Sequence, residues 1–425
     1  MWKNIKAILI SFVLFTSLAV MAVVFGYGFD YFKAEYQNRV EEAKLKKDLE
    51  GSVGMADELD PSLMPALLLG EVKDGQSESS RWDNLYTLSE DGDKYFLVEP
   101  RQEIAAIADP VASGQQLFYY AWSRDSGKEI VILRSFDLAS GRDEMIISAD
   151  KENSLRGAWL APSGEKLIYQ KFNPSTEETA YWSYSINNRI FEEMIIPDAG
   201  LYPTPYQAWG ADSERFYLTK NVGSDSYVLF EARGSAVTPA FPAFRWNKID
   251  WSDMWQVKPM AVSPDGMTAL YIDRQKVDGV VEKTDINIID QSGGITNLVT
   301  MSGDVYELAW SPDSKQLTFN FAAHDDQGDR DRVELWVMDG DGSNPTKVYA
   351  AGKGAMLHDL HWSRDSKDIY FVERQPQLYS LVQALDTSSG QVETLERHLV
   401  QEGEDSYLRI LERLDMPKSL DWQEK

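Results

Sequence analysis

Residues 309–319 read A-W-S-P-D-S-K-Q-L-T-F, and residues 361–371 read H-W-S-R-D-S-K-D-I-Y-F. The same phrase recurs as A-V-S-P-D-G-M-T-A-L-Y at 261–271 and A-W-G-A-D-S-E-R-F-Y-L at 208–218. Looser copies are A-W-L-A-P-S-G-E-K-L-I-Y at 158–169 and T-L-S-E-D-G-D-K-Y-F-L at 87–97. The small residue after the turn falls at Gly92, Gly164, Ser213, Gly266, Ser314 and Ser366, so the last four gaps are 49, 53, 48 and 52 residues. A period near 50 identifies a repeat architecture, with one propeller blade per repeat as the natural unit.

Each copy encodes a hairpin. Pro312 presets φ for the first corner, Asp313 can bond its own backbone, and Ser314 or Gly266 takes the last position. The strand that follows is apolar or alternating, as in Leu317, Phe319 and Phe321. A second hairpin comes next, V-E-L-W-V-M-D-G-D-G-S-N-P-T-K-V at 333–348, with Asp-Gly pairs at its turn. Each repeat therefore supplies about four strands. Trp159, Trp209, Trp310 and Trp362 occupy one equivalent position, which a packed boundary between blades requires.

These residues resemble a family. The S-P-D-S/G turn and the L-W-V-M-D-G-D-G-S-N-P stretch are similar to the TolB-type β-propeller repeat and to the N-terminal propeller of dipeptidyl-peptidase-like proteins. The resemblance spans roughly 81–398, with Val262 in place of one Trp. It implies a fold and leaves function open, because such propellers host many roles.

The first repeat is long: 72 residues separate Gly92 from Gly164. Inside lies A-W-S-R-D-S-G-K-E-I-V-I-L at 121–133, only 37 residues before the next copy, too few for four strands. The reading is one oversized first blade with an insertion around 101–114. The fold expected is all-β, a six-bladed propeller. Seven blades are the alternative, with 63–72 supplying the missing strands.

The domains expected are a transmembrane signal anchor (1–28), a stalk helix and linker (29–65), the propeller (66–398) and a C-terminal tail (399–425) with a final helix near 406–414. Residues 7–27 carry no charge and are long enough to cross a bilayer as a helix. Phe32, Tyr36, Val40 and Ala43 then form an apolar stripe at helical spacing. Lys3 and Lys6 precede the span, and Lys33, Arg39, Lys44, Lys46 and Lys47 follow it. Counted literally, these place the propeller in the cytoplasm. The short N-terminus and the extracytoplasmic habit of TolB-like propellers favour the outside, which is the expectation adopted.

A net charge of −26 repels phosphate and argues against nucleic-acid binding. The chain has no cysteine, hence no disulfide, thiol nucleophile or cysteine-based metal site. No G-x-S-x-G elbow occurs. The dipeptidyl-peptidase relatives carry a hydrolase domain after the propeller, and the 27 residues after His398 are too few for one, so the expectation is a protein without catalysis. His358 and His361 form an H-x-x-H pair, but residues three apart on a regular strand face opposite sides. The loop H-D-D-Q-G-D-R-D at 324–331 offers Asp325, Asp326, Asp329 and Asp331 as oxygen ligands for calcium. Its spacing does not match an EF-hand and arginines lie among the acids, so a solvated loop is preferred and no cofactor is expected.

The stretch P-A-F-P-A-F-R-W-N-K-I-D-W-S-D-M-W at 239–255 concentrates aromatic residues. By the resemblance, it lies on the face opposite the S-P-D-S turns, around the channel mouth. Trp246, Trp251 and Trp255 there would suit a protein hot spot; packing against the neighbouring blade is the bland alternative. The function expected is a membrane-tethered scaffold or adaptor whose partners are other proteins of the cell envelope. The alternative is a propeller enzyme or carbohydrate-binding protein with a site at the channel mouth.

Overall fold

The computed structural model describes most of 142–413 and, before that, the strands between 53 and 137; 325–329, 248–259 and 401–406 are among the stretches outside the described residues. The anchor and stalk segments also lie outside them. Among the described residues no helix is long and apolar enough to cross a membrane.

The first strands are β1 (Val53–Met55), β2 (Pro65–Val72), β3 (Arg81–Trp82), β4 (Asn84–Ser89) and β5 (Lys94–Pro100). Six sheets of consecutive strands follow. They are β6 (Ala106–Ser113), β7 (Gln116–Asp125), β8 (Lys128–Asp137) and β9 (Arg142–Ser148), with β3 at the edge; then β10 (Ser154–Leu160), β11 (Lys166–Asn173), β12 (Glu178–Ser185) and β13 (Ile190–Met194). Next come β14 (Leu201–Pro203), β15 (Phe216–Gly223), β16 (Ser226–Arg233) and β17 (Ala236–Pro239), with β18 (Trp246–Asn247) also on β16. The last three are β19 (Met260–Val262), β20 (Thr268–Val277), β21 (Val280–Asp290), β22 (Ile295–Met301); β23 (Asp304–Trp310), β24 (Gln316–His324), β25 (Arg330–Asp339), β26 (Thr346–Ala350); and β27 (Met356–Trp362), β28 (Asp368–Gln375), β29 (Tyr379–Asp386), β30 (Val392–Leu399).

A further sheet closes the ring in the order β1-β5-β4-β2-β31, where β31 is Tyr407–Arg413. Five of the six expected copies, those at Gly164, Ser213, Gly266, Ser314 and Ser366, each lie in one of these sheets of consecutive strands, while the Gly92 copy falls between β4 and β5 of the closing sheet. The closing sheet makes seven in all, and β2 supplies it from the N-terminal stretch named in the seven-bladed alternative. The segment around 101–114 is not an insertion: it carries β6, the first strand of its sheet. The phrase at 121–133 misled because it spans the β7–β8 hairpin, whereas the phrase at 158–169 spans β10–β11. The two copies occupy different hairpins, so the 37-residue gap measures no blade.

The helix expected near 406–414 is a strand. Leu408 and Ile410 are buried against Leu67, Leu69, Tyr370 and Val372. Pairing with β2 and burial of alternate residues outweigh the helix propensity of Leu, Arg and Glu. The propeller thus extends beyond 398 to Arg413.

The recurring turn has a hydrogen-bonded core that the motif only partly announces. The Ser311 hydroxyl donates to Asp313 (2.7 Å) and accepts from Gln316 N–H (2.9 Å), while Asp313 accepts from Lys315 N–H (3.1 Å). Ser363 and Asp365 repeat this arrangement, as do Ser263 and Asp265. Ser213, Ser314 and Ser366 have φ of 58, 59 and 60°, and Gly164 and Gly266 have 70 and 68°. The small residue after the turn therefore sits in the left-handed region, where a side chain costs about 1–2 kcal/mol.

Adjacent blades are joined at equivalent repeat positions. Trp209 Nε1 donates to Trp159 O (3.0 Å), and Trp362 Nε1 donates to Ala309 O (3.3 Å). Trp209 and Trp159 both pack on Phe216. At the turns, Ser163 N–H donates to the Ser213 hydroxyl (2.8 Å) and Asp313 N–H to that of Ser366 (3.3 Å). The tryptophans are boundary residues between blades, the role their periodic placement required.

Candidate protein-binding face

Alternating strand direction sorts the connections between two faces. The S-P-D turns join first to second strands on one face. Second-to-third hairpins and the links to the next sheet lie on the other. The Trp-rich link after β17 and the acidic hairpin between β24 and β25 therefore share the face opposite the S-P-D turns, as read from the sequence.

Trp246 is held by β18, whose residues pair Trp246 with Tyr227 and Asn247 with Ser226. This places Trp246 beside the tip of the β15–β16 hairpin. It is on the outer side of β16, the side that β17 occupies further along the same strand. Trp246 thus stands at the rim of its sheet rather than at the channel mouth, because a strand added beyond the third strand cannot reach the axis. Earlier in the same stretch, Phe241 is 1% exposed and packs with Tyr217, Leu229 and Met260, so the start of the segment closes the blade boundary. Trp251, Trp255, Asp325, Asp326 and Asp329 lie outside the described residues.

Two apolar residues flank this arc. Val222, near the end of β15, is 43% exposed, and Val277, the last residue of β20, is 49% exposed. Both stand at hairpin tips of adjacent sheets on the face that carries Trp246. β18 also contacts β20. The sheet carrying the acidic hairpin is the next one round the ring. Sequence reasoning missed the valines because a single valine at a hairpin end gives no periodic signal.

The ionisable groups of the inner strands are engaged in holding blades together. Glu307 and Asp359 each lie three residues before their repeat's Trp. Glu307 Oε1 accepts Leu360 N–H (3.2 Å) in the next blade, and Asp359 Oδ2 accepts Ile410 N–H (3.0 Å) in β31. Both carboxylates are 2% exposed. His358 Nδ1 is 3.0 Å from Asp359 Oδ2. A bulge between His358 and His361 pairs them with Val372 and Tyr370, so the two histidines share a face after all. The left-handed backbone of Asp359 (φ 58°) accompanies that bulge, which a regular alternation could not anticipate.

Glu373 is a further buried carboxylate. It accepts from the hydroxyls of Tyr349 and Tyr379, from Gln383 Nε2 and from Gly352 N–H. Burial, followed by the hydrogen bond to this carboxylate, pushes both tyrosine pKa values up. Four donors converge on its two oxygens, a structural arrangement across the boundary between two blades. Among the described residues no group of three or more His, Asp or Glu is placed to hold a metal ion.

No family model matches the chain, and no curated protein matches it. Solved structures do. The β-propeller domain of the Trilobed protease from Pyrococcus furiosus is similar at 9% identity and a TM-score of 0.50, over 69% of this chain and 85% of that one. TolB from Acinetobacter baumannii is similar at 16% identity and a TM-score of 0.40, over 68% of this chain and 64% of that one, so less than two thirds of that TolB is spanned. A putative TolB from Agrobacterium tumefaciens is similar at 18% identity and a TM-score of 0.38, over 66% and 96%. The protein is a β-propeller. Its structural neighbours include TolB proteins and the propeller of a trilobed protease, and at these identities the likeness is one of fold.

Proposed function

We propose that this chain is a protein-binding propeller, a scaffold or adaptor that recognises its partner through the rim of the face opposite the S-P-D turns and performs no catalysis. The observation that carries this reading is the exposure of Val222 and Val277 at hairpin tips of two adjacent sheets on that face, with the strand that carries Trp246 paired beside the first of those tips. Apolar side chains exposed at hairpin tips are what a protein interface needs at its core. The acidic sequence 325–329, between β24 and β25, adds a preference for a basic partner. The buried carboxylates of Glu307 and Asp359 support a binding role over chemistry at these positions, since one oxygen of each already accepts a backbone N–H of the next sheet.

In this reading residues 7–27 anchor the chain in a membrane and the propeller works outside the cytoplasm, among envelope proteins. Protease treatment of intact cells or spheroplasts tests that orientation. Digestion of the propeller from outside supports it; protection until the membrane is opened contradicts it. The binding role is tested by affinity capture with the full chain from detergent-solubilised membranes. Trp246→Ala, Trp251→Ala and Trp255→Ala are expected to weaken capture of the partner while leaving the melting temperature unchanged. A large loss of stability would instead make these tryptophans part of the core.

A further inference from the structure

The outer edge of β13 differs from a merely tolerated edge. Its sequence with the next residue is I-F-E-E-M-I. β13 pairs with β12 through residues 190–194 and is the last strand of its sheet among the described residues. Its outward backbone groups therefore form one side of an unfilled ladder. Ile190, Phe191 and Ile195 are 51, 37 and 74% exposed, three of the eight large exposed hydrophobic residues of the described chain within six positions. Phe191 is stiffened by stacking on Tyr184, with ring centroids 4.7 Å apart. Short strands and charged residues protect an edge against aggregation, and Glu192 and Glu193 serve that purpose. Protection does not call for three exposed apolar side chains beside them.

We infer that the β13 edge is a strand-addition site for an extended segment of another protein, one with two consecutive basic residues flanked by apolar ones. The charge pattern selects this occupant. A second copy of the same edge, paired antiparallel about its centre, would set Glu192 against Glu192 or Glu193, and like charges directly opposite destabilise a strand pair. Lysines or arginines opposite the glutamates convert the same positions to favourable cross-strand pairs. Apolar residues on either side of the basic pair cover the exposed side chains of Ile190, Phe191 and Ile195. Main-chain hydrogen bonds supply affinity and the alternate side chains supply selectivity. The net charge of −26 steers such a segment toward the molecule. This edge belongs to a different sheet from Trp246, so the proposal stands apart from the face described above.

The test uses the full chain and a capped, fluorescently labelled peptide, Thr-Val-Lys-Lys-Val-Val-Thr, followed by anisotropy. Saturable binding is expected. It should weaken at least about tenfold when the peptide lysines are replaced by glutamate, and by a similar factor in the Glu192→Lys, Glu193→Lys protein, whose changes are at exposed positions. A peptide N-methylated at alternate amides, matched in charge and composition, should lose binding, which a purely electrostatic contact would not show. Absence of saturable binding, or binding indifferent to N-methylation and to the double substitution, would overturn the inference. So would a concentration-dependent dimer in sedimentation that the double substitution dissolves, since the edge would then serve a second copy.

Discussion

The carboxylate of Asp359 accepts the backbone N–H of Ile410 at 3.0 Å, across 51 residues, and so ties the blade that ends at Leu399 to the strand that closes the ring. Glu307 makes the same tie to Leu360 at the preceding boundary. Asp359→Ala leaves a buried N–H without its acceptor and removes a residue type that tolerates left-handed backbone. A loss of about 1–3 kcal/mol is expected. Asp359→Asn retains an acceptor oxygen and the backbone tolerance, and should lose less. Urea denaturation of the two variants checks this; equal losses would deny the Ile410 contact its role.

The left-handed serines separate backbone strain from boundary bonding. Ser314→Gly relieves a strained position (φ 59°) and should stabilise by up to about 1 kcal/mol. Ser366→Gly relieves the same strain but removes the hydroxyl that accepts Asp313 N–H, so its net change should be smaller. Thermal melts compare them directly. Gly266→Ala should destabilise more than any of these. Its Cβ would fall 1.3 Å from an Arg215 guanidinium nitrogen, and Arg215 donates to Asp265 O at 3.1 Å.

Two tryptophans at one repeat position should respond differently to Phe. Trp362 donates Nε1–H to Ala309 O, and Trp362→Phe is expected to cost about 1–3 kcal/mol through the lost bond and the space left behind. Trp310 Nε1 is buried without a hydrogen-bond partner, and the repeat before it carries Val262. Trp310→Phe should therefore cost less. Chemical denaturation with unchanged m-values gives the comparison.

Acid should loosen the turns. Burial alone would raise the Asp313 carboxyl, but the Ser311 hydroxyl, the Lys315 N–H and the Lys315 ammonium outweigh it and hold it below the ordinary value. At Asp365 the hydrogen bond from Lys367 leads, against burial, to the same direction. A lowered folded pKa contributes stability that is present above the unfolded value of about 3.9 and is lost as pH falls through the folded values. Asp313→Asn with Asp365→Asn should melt below the wild-type protein at neutral pH, with the gap closing below about pH 3.9. A gap that stays constant into acid would assign these carboxylates no linked stability.

Much of the ring was legible because the turn chemistry is local. Pro312, Asp313 and Ser314 specify a hairpin whatever surrounds them, and their recurrence at a fixed period reports the blade. Closure was less legible because it is not local. β31 pairs with a strand more than 300 residues earlier, and its residues carry helix-forming side chains whose strand conformation depends on that partner. The false copy at 121–133 shows the same limit, since a turn motif marks a hairpin but not which hairpin of the blade. On the candidate face, the aromatic excess of 239–255 drew attention to the link after β17, and the resemblance set that link opposite the S-P-D turns. Only the pairing of Trp246 with Tyr227 moved it from the channel mouth to the rim.

Photocrosslinking from single positions on the two faces tests the binding account most directly. A photoreactive phenylalanine replaces Val277 on the face of Trp246, or Met267, 52% exposed in an S-P-D turn on the other. Both chains are expressed in full and irradiated in the source membranes. A protein adduct from the Val277 position and none from Met267 is the predicted result. An adduct from Met267 with none from Val277, or no adduct from either while the chains remain folded, would contradict it.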